Sequence, residues 1–509
     1  MANEINQIST FQDVDSTHPD YSYWASIWLK NQDCVDGQVA IKTSEQSRSY
    51  LPVLSGQKND KSLYDTYQQY AVWFGATSRT VDGLTGLVFR KDPVMTIPDE
   101  IDYVIDDIDL RRQSIDDFAK KVLDQIIIKN RVGILIDFPI ANVEGLSQKD
   151  YEESGLRPYA QIYNAENILN WRENKVNNKY QTTFVTLYEC EYVQGENEFD
   201  NDKIDRVRVL DFDPLGHYRQ RVFERREINT AGTSATGWEL ISTITPKMNG
   251  EPLREIPFIM ATEDGTTWSM SNSVVNDLAD VNISHYRNSA SYENGLLLTG
   301  NPTPCFVGYS EGENSNSVSL GSSNALQFNE GGKAWFLSLG AEGLEELRIA
   351  QQQKEGQMAL LGARIIAPEK RQTETAETAS IHRQGEQSVL KRIANATSRS
   401  ITKALQIIGE WERLSEKQIE ETEYKLNVDF MPSEMDTKKL TALLSSLQSG
   451  GISRMTFFEQ LKKGEIIKGD TTFEEYISEI EEDQIDTSAV FNDDEDDEIE
   501  TEPIQDEQE

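Results

Sequence analysis

Two stretches with helical spacing, one from about Ser273 to Leu298 and one from Ala341 to just before Pro368, enclose the β-prone fragments of 299–340. In the first, Val274, Leu278, Val281, His285, Ala290 and Leu296 keep close to one face, and Asn272 or Ser273 is available as a cap. A helix of about 25 residues is about 37 Å long at 1.5 Å per residue, long for a globular domain. It stops at Gly300-Asn301-Pro302. The second places Leu344, Leu347, Met358 and Leu361 on one stripe, with the polar QQQKEG in its middle. Paired long helices with partly polar faces cannot bury their stripes alone. They can do so against further copies in a closing ring. The enclosed pieces, PCFVGY, SVSLG, ALQFN and KAWFLSLG, are separated by GENSNS and GSSN and read as a small β-element.

The 509 residues allow about three or four structural units at roughly 100–200 residues each. The first half reads as mixed α/β. Leu63, Tyr67, Tyr70 and Phe74 share a helical stripe, and a helix over 115–129 feeds the apolar run GILIDF, a buried strand. Residues 182–193, 204–213 and 238–244 are rich in β-branched and aromatic residues and read as an antiparallel meander, with PFIMATED ending the sheet. After the second long helix comes the loop EKRQTETAE. A helix of nearly forty residues follows from about Glu377, with Ile393, Ile401, Ala404, Ile408 and Trp411 on its apolar face. A strand YKLNVDF (424–430) and a short helical end (433–482) close the ordered part, giving an α+β chain of unlike parts without repeats.

Asp and Glu number 87 against 49 Lys and Arg, so the net charge is −38 and a chain-wide basic footprint for gripping phosphates is absent. The excess is uneven. From Glu474 to Glu509 there are 18 acidic residues and no basic one, and Phe491 to Glu509 holds too little apolar surface to offset chain entropy, so a disordered acidic tail is expected. It reads as a solubilising extension or as a lure for a basic partner. In contrast, Arg364 to Lys403 holds eight basic and four acidic residues. That window reads as i,i+4 pairs along the long helix, or as basic side chains facing a passing polyanion. No stretch approaches the ~20 apolar residues that cross a bilayer, and the start lacks a secretory pattern, so a soluble chain made in the cytosol is expected.

Few residues offer chemistry. Cys34, Cys190 and Cys305 are too far apart for a metal knuckle and too few for a disulfide framework, and read as reduced thiols. GYSEG (Gly308 to Gly312) has nucleophile-elbow spacing, but turn and strand material follows Ser310 where an elbow needs a helix, so a β-turn is the better reading. EGGKAW lacks the first Gly and the Ser or Thr of a phosphate loop. His18, His217, His285 and His382 share no i,i+4 face, and His285 reads as packed or capping rather than as a ligand. The acidic pairs Asp106/Asp107, Asp116/Asp117 and Asp211/Asp213 read as solvated turns and helix starts. Neither an enzyme nor a cofactor is expected.

The residues His18-Pro19-Asp20-Tyr21, Trp28, Asp33 and Gly37, followed by YLPVLSGQ, YDTYQQYAVWFGATSRTVDGLTGLVFRKDP, RVGILIDFP, RPYAQIYNAENILNW and DLADVNISHYRNSASYE, give an ordered set of blocks across 18–415. This set resembles tailed-bacteriophage portal proteins of a group defined by a domain of unknown function. The resemblance implies a dodecameric ring at one capsid vertex, through which double-stranded DNA is packaged and ejected. It implies a wing (1–271), two stem helices (272–298 and 341–364) around a clip (299–340), and a tunnel loop (365–376). A long wing helix with a return strand (377–432), a crown (433–484) and the disordered acidic tail (485–509) would follow. By the same resemblance Arg364, Lys370 and Arg371 would line the DNA channel. Tyr309, Glu311, Glu313, Lys333 and Trp335 would dock the large terminase subunit and the head-completion or tail adaptor protein. The major capsid protein would surround the ring in the virion, which is assembled in the host cytoplasm. A strongly cationic bore would bind DNA, with its one charge per ~1.7 Å, and stall it, whereas an acidic body with a few basic points would not. The alternative is a capsid-internal structural or scaffold-binding protein without a channel.

Overall fold

The structure, a computed structural model, describes residues 10–11, 13–58, 61–139, 156–176, 178–195, 197–230, 233–301, 303–309, 328–337, 342–366, 389–430, 437–448, 451–463, 467 and 471–478. The fold is α+β, with one unit over Met1–Val428 and another over Asp429–Glu509. The first unit opens with a short strand, β1 (Thr10–Phe11), and the helices α1 (Tyr21–Asp36), α2 (Gln38–Thr43), α3 (Ser47–Tyr50), α4 (Lys61–Tyr70) and α5 (Ala76–Val88). β2 (Val94–Thr96) and α6 (Ile115–Lys129) follow. Ser114 caps α6 by accepting the Asp117 N–H at 3.2 Å, while Asp116 and Asp117 sit at the positive end of the helix. Asn130, in the left-handed region at φ 53°, ends it. The stripe expected over 63–74 is only partly internal: Tyr67 is buried, Leu63 and Tyr70 are exposed, and Phe74 lies beyond the end of α4. Tyr64 takes the inner position instead.

The expected strand after α6 is β3 (Val132–Asp137), buried at every position. β4 (Tyr159–Asn164) follows, and then the meander β5 (Ile168–Val176), β6 (Lys179–Gln194), β7 (Asn201–Phe212), β8 (Tyr218–Thr230) and β9 (Thr233–Ile244), antiparallel throughout, with β1 on its edge. β10 (Lys247–Met248) pairs with β11 (Glu251–Pro252). PFIMATED does not end this sheet. Its core, β12 (Phe258–Thr262), belongs with β13 (Gly265–Thr266) to a separate four-stranded sheet ordered β13-β12-β3-β4. The reason is burial: all five residues of β12 are internal, and an unbroken apolar run cannot say which sheet it joins.

The two sheets pack on each other around Leu135, Tyr163, Trp171, Leu187, Leu210 and Phe258. A polar bolt crosses the same interface. Arg208 of β7 reaches Glu189 of β6 at 2.8 Å and Asp137 at the end of β3 at 3.2 Å, and Gln220 of β8 donates to Asp137 at 2.8 Å. Burial holds the Asp137 carboxyl above its ordinary range, although Arg208 pulls the other way.

The residues that carried the portal resemblance in the opening segment have packing roles. His18 stacks on Trp171 at 4.1 Å, and Tyr21 donates to Glu166 O at 2.6 Å. Asp33 accepts from the Tyr50 hydroxyl at 2.7 Å, and Gly37 turns the chain at φ 88°. Trp28, Trp171 and Trp268 surround the guanidinium of Arg131, 5.9, 4.1 and 5.2 Å from the ring centres. Arg131 is 1% exposed, and its Nε and Nη2 have no hydrogen-bond partner among the described residues.

The long helices are α7 (Asn276–Gly300) and α8 (Glu342–Ile366), flanking the hairpin of β14 (Thr303–Tyr309) and β15 (Phe328–Leu337). α7 starts later than expected and is capped by neither Asn272 nor Ser273. Val275 stands at its N-cap, and the Ser273 hydroxyl accepts from Asn31 instead. α8 runs through Ile365 and Ile366, which were expected in the following loop. Within the described residues, the next helix is α9 (Val389–Trp411); the part expected from Glu377 lies outside them. Its expected apolar face is internal, with Ile393, Ile401, Ala404, Ile408 and Trp411 all buried. After α10 (Glu416–Glu421), the expected strand 424–430 shrinks to β16 (Glu423–Lys425), because its only partner among the described residues is the three-residue β2.

The second unit contains α11 (Thr437–Gln448), α12 (Arg454–Lys463) and a helical turn pair at 473–478. Phe457, Phe458 and Leu461 are buried, with Phe458 ringed by Phe473 at 5.5 Å and Tyr476 at 5.1 Å. The expected acidic tail 485–509 lies outside the described residues.

Candidate channel and docking surfaces

α7 has two halves. Its inner half supplies Ala279, Ile283, Tyr286 and Ala290 to a core shared with Cys34, Ile41, Tyr50, Tyr67 and Trp73. Beyond Ala290, no residue with described exposure is buried until Met358. That excursion takes in the outer half of α7, the hairpin and the first part of α8. Met358 and Ile365 return α8 to the body, where Gly362 lies so close to α5 that a β-carbon would be 3.3 Å from Thr80. The Leu344, Leu347, Met358, Leu361 stripe is therefore internal only at Met358.

In the hairpin, Lys333 faces Val307 and Trp335 faces Cys305, so these four share one side, and Phe306, Ala334 and Phe336 share the other. Val307, Trp335 and Phe336 are 54%, 48% and 63% exposed, so apolar groups stand open on both sides. A two-stranded hairpin of this kind is marginal alone in water. A register shift after Val307 sets Tyr309 opposite Phe328. Arg364 is exposed in the last turn of α8. Of the remaining expected site residues, Glu311, Glu313, Lys370 and Arg371 lie outside the described residues, as does Ser310. The hairpin thus brings Lys333 and Trp335 together, with Arg364 at the opposite end of α8.

The charge on α8 is unevenly placed. Between Arg348 and Arg364 only Lys354 and Glu355 are charged, and both turn back to α7. Lys354 donates to Ser284 O at 3.0 Å, and Glu355 meets His285 Nε2 at 3.3 Å. The solvent face is left to Gln352, Gln353, Gly356, Gln357, Ala359, Leu360 and Ala363, all exposed and uncharged. Burial lowers the basicity of Lys354, and of His285 as well.

One feature escaped sequence reasoning. A groove of about 1190 Å³ lies between α9, β12 and β16, with Arg392, Arg399 and Lys403 along one wall and Tyr180, Trp268 and Tyr424 among its other lining. Arg392 meets Glu263 at 3.8 Å, and burial raises the Glu263 carboxyl despite that neighbour. The expected i,i+4 pairs are not the partners of these three along α9 among the described residues. Six carboxylates and four cations line the groove, so it is not an anion trap. The only sequence signal was the local basic window, and nothing in it named the wall across from α9.

The acidic pairs serve structure. Asp107 binds Arg157 at 2.6 Å, Asp116 accepts from the Tyr424 hydroxyl at 2.8 Å, and Asp211 holds Arg219 and Arg221 at 2.8 and 2.7 Å. Cys34 is buried, Cys190 exposed and Cys305 half-buried. Among the described residues no group of His, Cys, Asp and Glu is arranged to hold a metal, and no helix is long and apolar enough to cross a membrane.

A family described as "Domain of unknown function (DUF4055)" matches residues 275–412, which spans α7, the hairpin, α8 and α9. No curated protein matches the chain.

Proposed function

We propose that this chain is the ring-forming portal subunit of a tailed phage. Twelve copies would surround a channel at one capsid vertex, through which double-stranded DNA enters and leaves. One observation carries this reading: the excursion from Ser291 to Gln357 contains no buried residue among those described, yet exposes Leu296, Leu298, Val307, Trp335 and Phe336. Helices and a hairpin in that condition gain stability only against further surface, and neighbouring copies in a closed ring supply it.

The uncharged face of α8 supports the same reading. A chain of −38 that keeps charge off one long helix face offers DNA a wall that neither binds its phosphates nor repels them. In this scheme the body is the wing, α7 and α8 the stem, and β14–β15 the clip that docks the large terminase subunit and later the head-completion or tail adaptor protein. The second unit is the crown, and the major capsid protein surrounds the ring. Arg364, with Lys370 and Arg371, borders the channel. No catalytic step is assigned to the chain.

The test is electron microscopy of the purified full chain, where rings with a central hole are expected. A monomer at every concentration, with no annulus at a virion vertex, overturns the proposal and favours a capsid-internal scaffold-binding protein. Deleting 303–338 should leave rings while abolishing terminase binding, and retained binding would remove the clip assignment. Reversing the charges of Lys370 and Arg371 should lower the DNA content of particles with intact rings, and full particles would remove those residues from the channel.

A further inference from the structure

The place where α7 and α8 leave the body is held by a buried imidazole. His285 has 7% of its side-chain surface exposed, and its ring centre lies 5.3 Å from that of Phe74. Nε2 is 3.3 Å from Glu355 Oε1 of α8, and Nδ1 has no hydrogen-bond partner among the described residues. One turn to either side, α7 is fastened to the body. Asn282 accepts from the Thr77 N–H at 3.2 Å and hydroxyl at 2.9 Å, and the Ser289 hydroxyl accepts from the Val72 N–H at 3.1 Å. α8 meets α7 at this level through His285–Glu355 and Lys354–Ser284.

We propose that His285 is an acid-released latch that closes α8 onto α7 at the root of the excursion. In the neutral ring, the Nε2–H donates to Glu355 and Nδ1 keeps only a lone pair against its apolar surroundings. Protonation would create a second N–H at Nδ1 with nothing to accept it, and a buried unsatisfied donor is costly. Its charged neighbours are Glu355 and Lys354 of α8; Arg287 of α7 lies by Lys354, and Arg79 of α5 lies over the Phe74 ring at 5.5 Å. Of these only Glu355 is negative, and it is 43% exposed, so its attraction is partly screened by water.

The sign follows from burial. The closed form holds the His285 pKa below the ordinary 6.5, so below that pH the open form takes up a proton that the closed form refuses. Closure is complete above this window and weakens as the pH falls through it. The latch works within a single chain and stands apart from the portal reading.

Hydrogen exchange of the full chain at about pH 7.5 and about pH 5, corrected for intrinsic rates, tests this. Opening of the segments 284–300 and 342–358 should rise about threefold or more in acid. His285→Gln keeps an N–H for Glu355 but does not titrate, and should lose the rise. His18→Gln, which removes a different imidazole with burial-lowered basicity, should keep it. Glu355→Gln removes the one favourable charge and should enlarge the rise. No acid response in the native chain, an equal response in His285→Gln, or a smaller one in Glu355→Gln would each overturn the latch. The Glu355→Gln result decides the matter if His285→Gln does not fold.

Discussion

Gly295 of α7 lies against Leu344 of α8 so closely that a β-carbon on the glycine would come 2.5 Å from Leu344 Cδ2. The two outer helix halves approach at this point because one of them has no side chain. Gly295→Ala asks only that the end of a flexible leucine turn aside, and alanine gains about 1 kcal/mol in helix propensity over glycine, so little net change is expected. Gly295→Val has no such escape. It should raise amide exchange in 291–300 and 343–350 while the melting of the body stays unchanged. Unaltered exchange would mean that the two halves do not touch in solution.

Gly133 in β3 is tighter still, since an added β-carbon would collide with Cζ of the Phe258 ring and lie 3.0 Å from Ile168 Cδ1. Both obstacles are within the packed interface between the sheets. Gly133→Ala should therefore cost about 1–3 kcal/mol, read as a lower urea midpoint with unchanged slope. A native midpoint would show that the sheets separate easily there.

Arg131 is stacked among three tryptophans with two donors unpartnered. Burial disfavours its charge, so its stacking area is the main favourable contribution. Arg131→Met keeps apolar contact and removes the unpaired donors, whereas Arg131→Lys swaps a weakly hydrated plane for a strongly hydrated point charge. Lysine should be the worse replacement by about 1 kcal/mol or more in denaturant titrations. The reverse order would show that charge, not stacking, holds the site.

Arg208 gives the opposite case, because all its neighbours depend on it. Arg208→Met leaves the buried Asp137 carboxylate and the half-buried Glu189 without their cation and should cost about 3–5 kcal/mol. Adding Asp137→Asn and Glu189→Gln should recover a large part of that loss. If the triple variant is no more stable than the single one, the network is not coupled as described.

The elements legible in the sequence were those whose signal is local. α6 could be read to the residue from its apolar period, and β6, β7 and β9 from β-branched and aromatic runs separated by turn residues, whereas the charge-rich β8 (YRQRVFERREINT) could not. Membership of a sheet was not local: β12 looks the same whichever strand it joins, and only packing sends it to β3. The return strand was overestimated because periodicity cannot report that β2 offers just three residues to pair with. For the candidate surfaces, the helix–hairpin–helix plan and the packed state of His285 could be read. The turning of Lys354 and Glu355 toward α7, which leaves the opposite face without charge, could not, because it depends on how two helices sit side by side.

Among the described residues the excursion is anchored at one end only, and it therefore amplifies angle into distance. Gly300 lies ten residues past Ala290, about 15 Å along the axis, so a tilt of about 10° at the root moves it by about 3 Å. A rearrangement too small to disturb the seat of Phe74 or Met358 would become a step the length of a hydrogen bond at Trp335. Whatever grips that hairpin can thereby gauge the state of a body it never contacts.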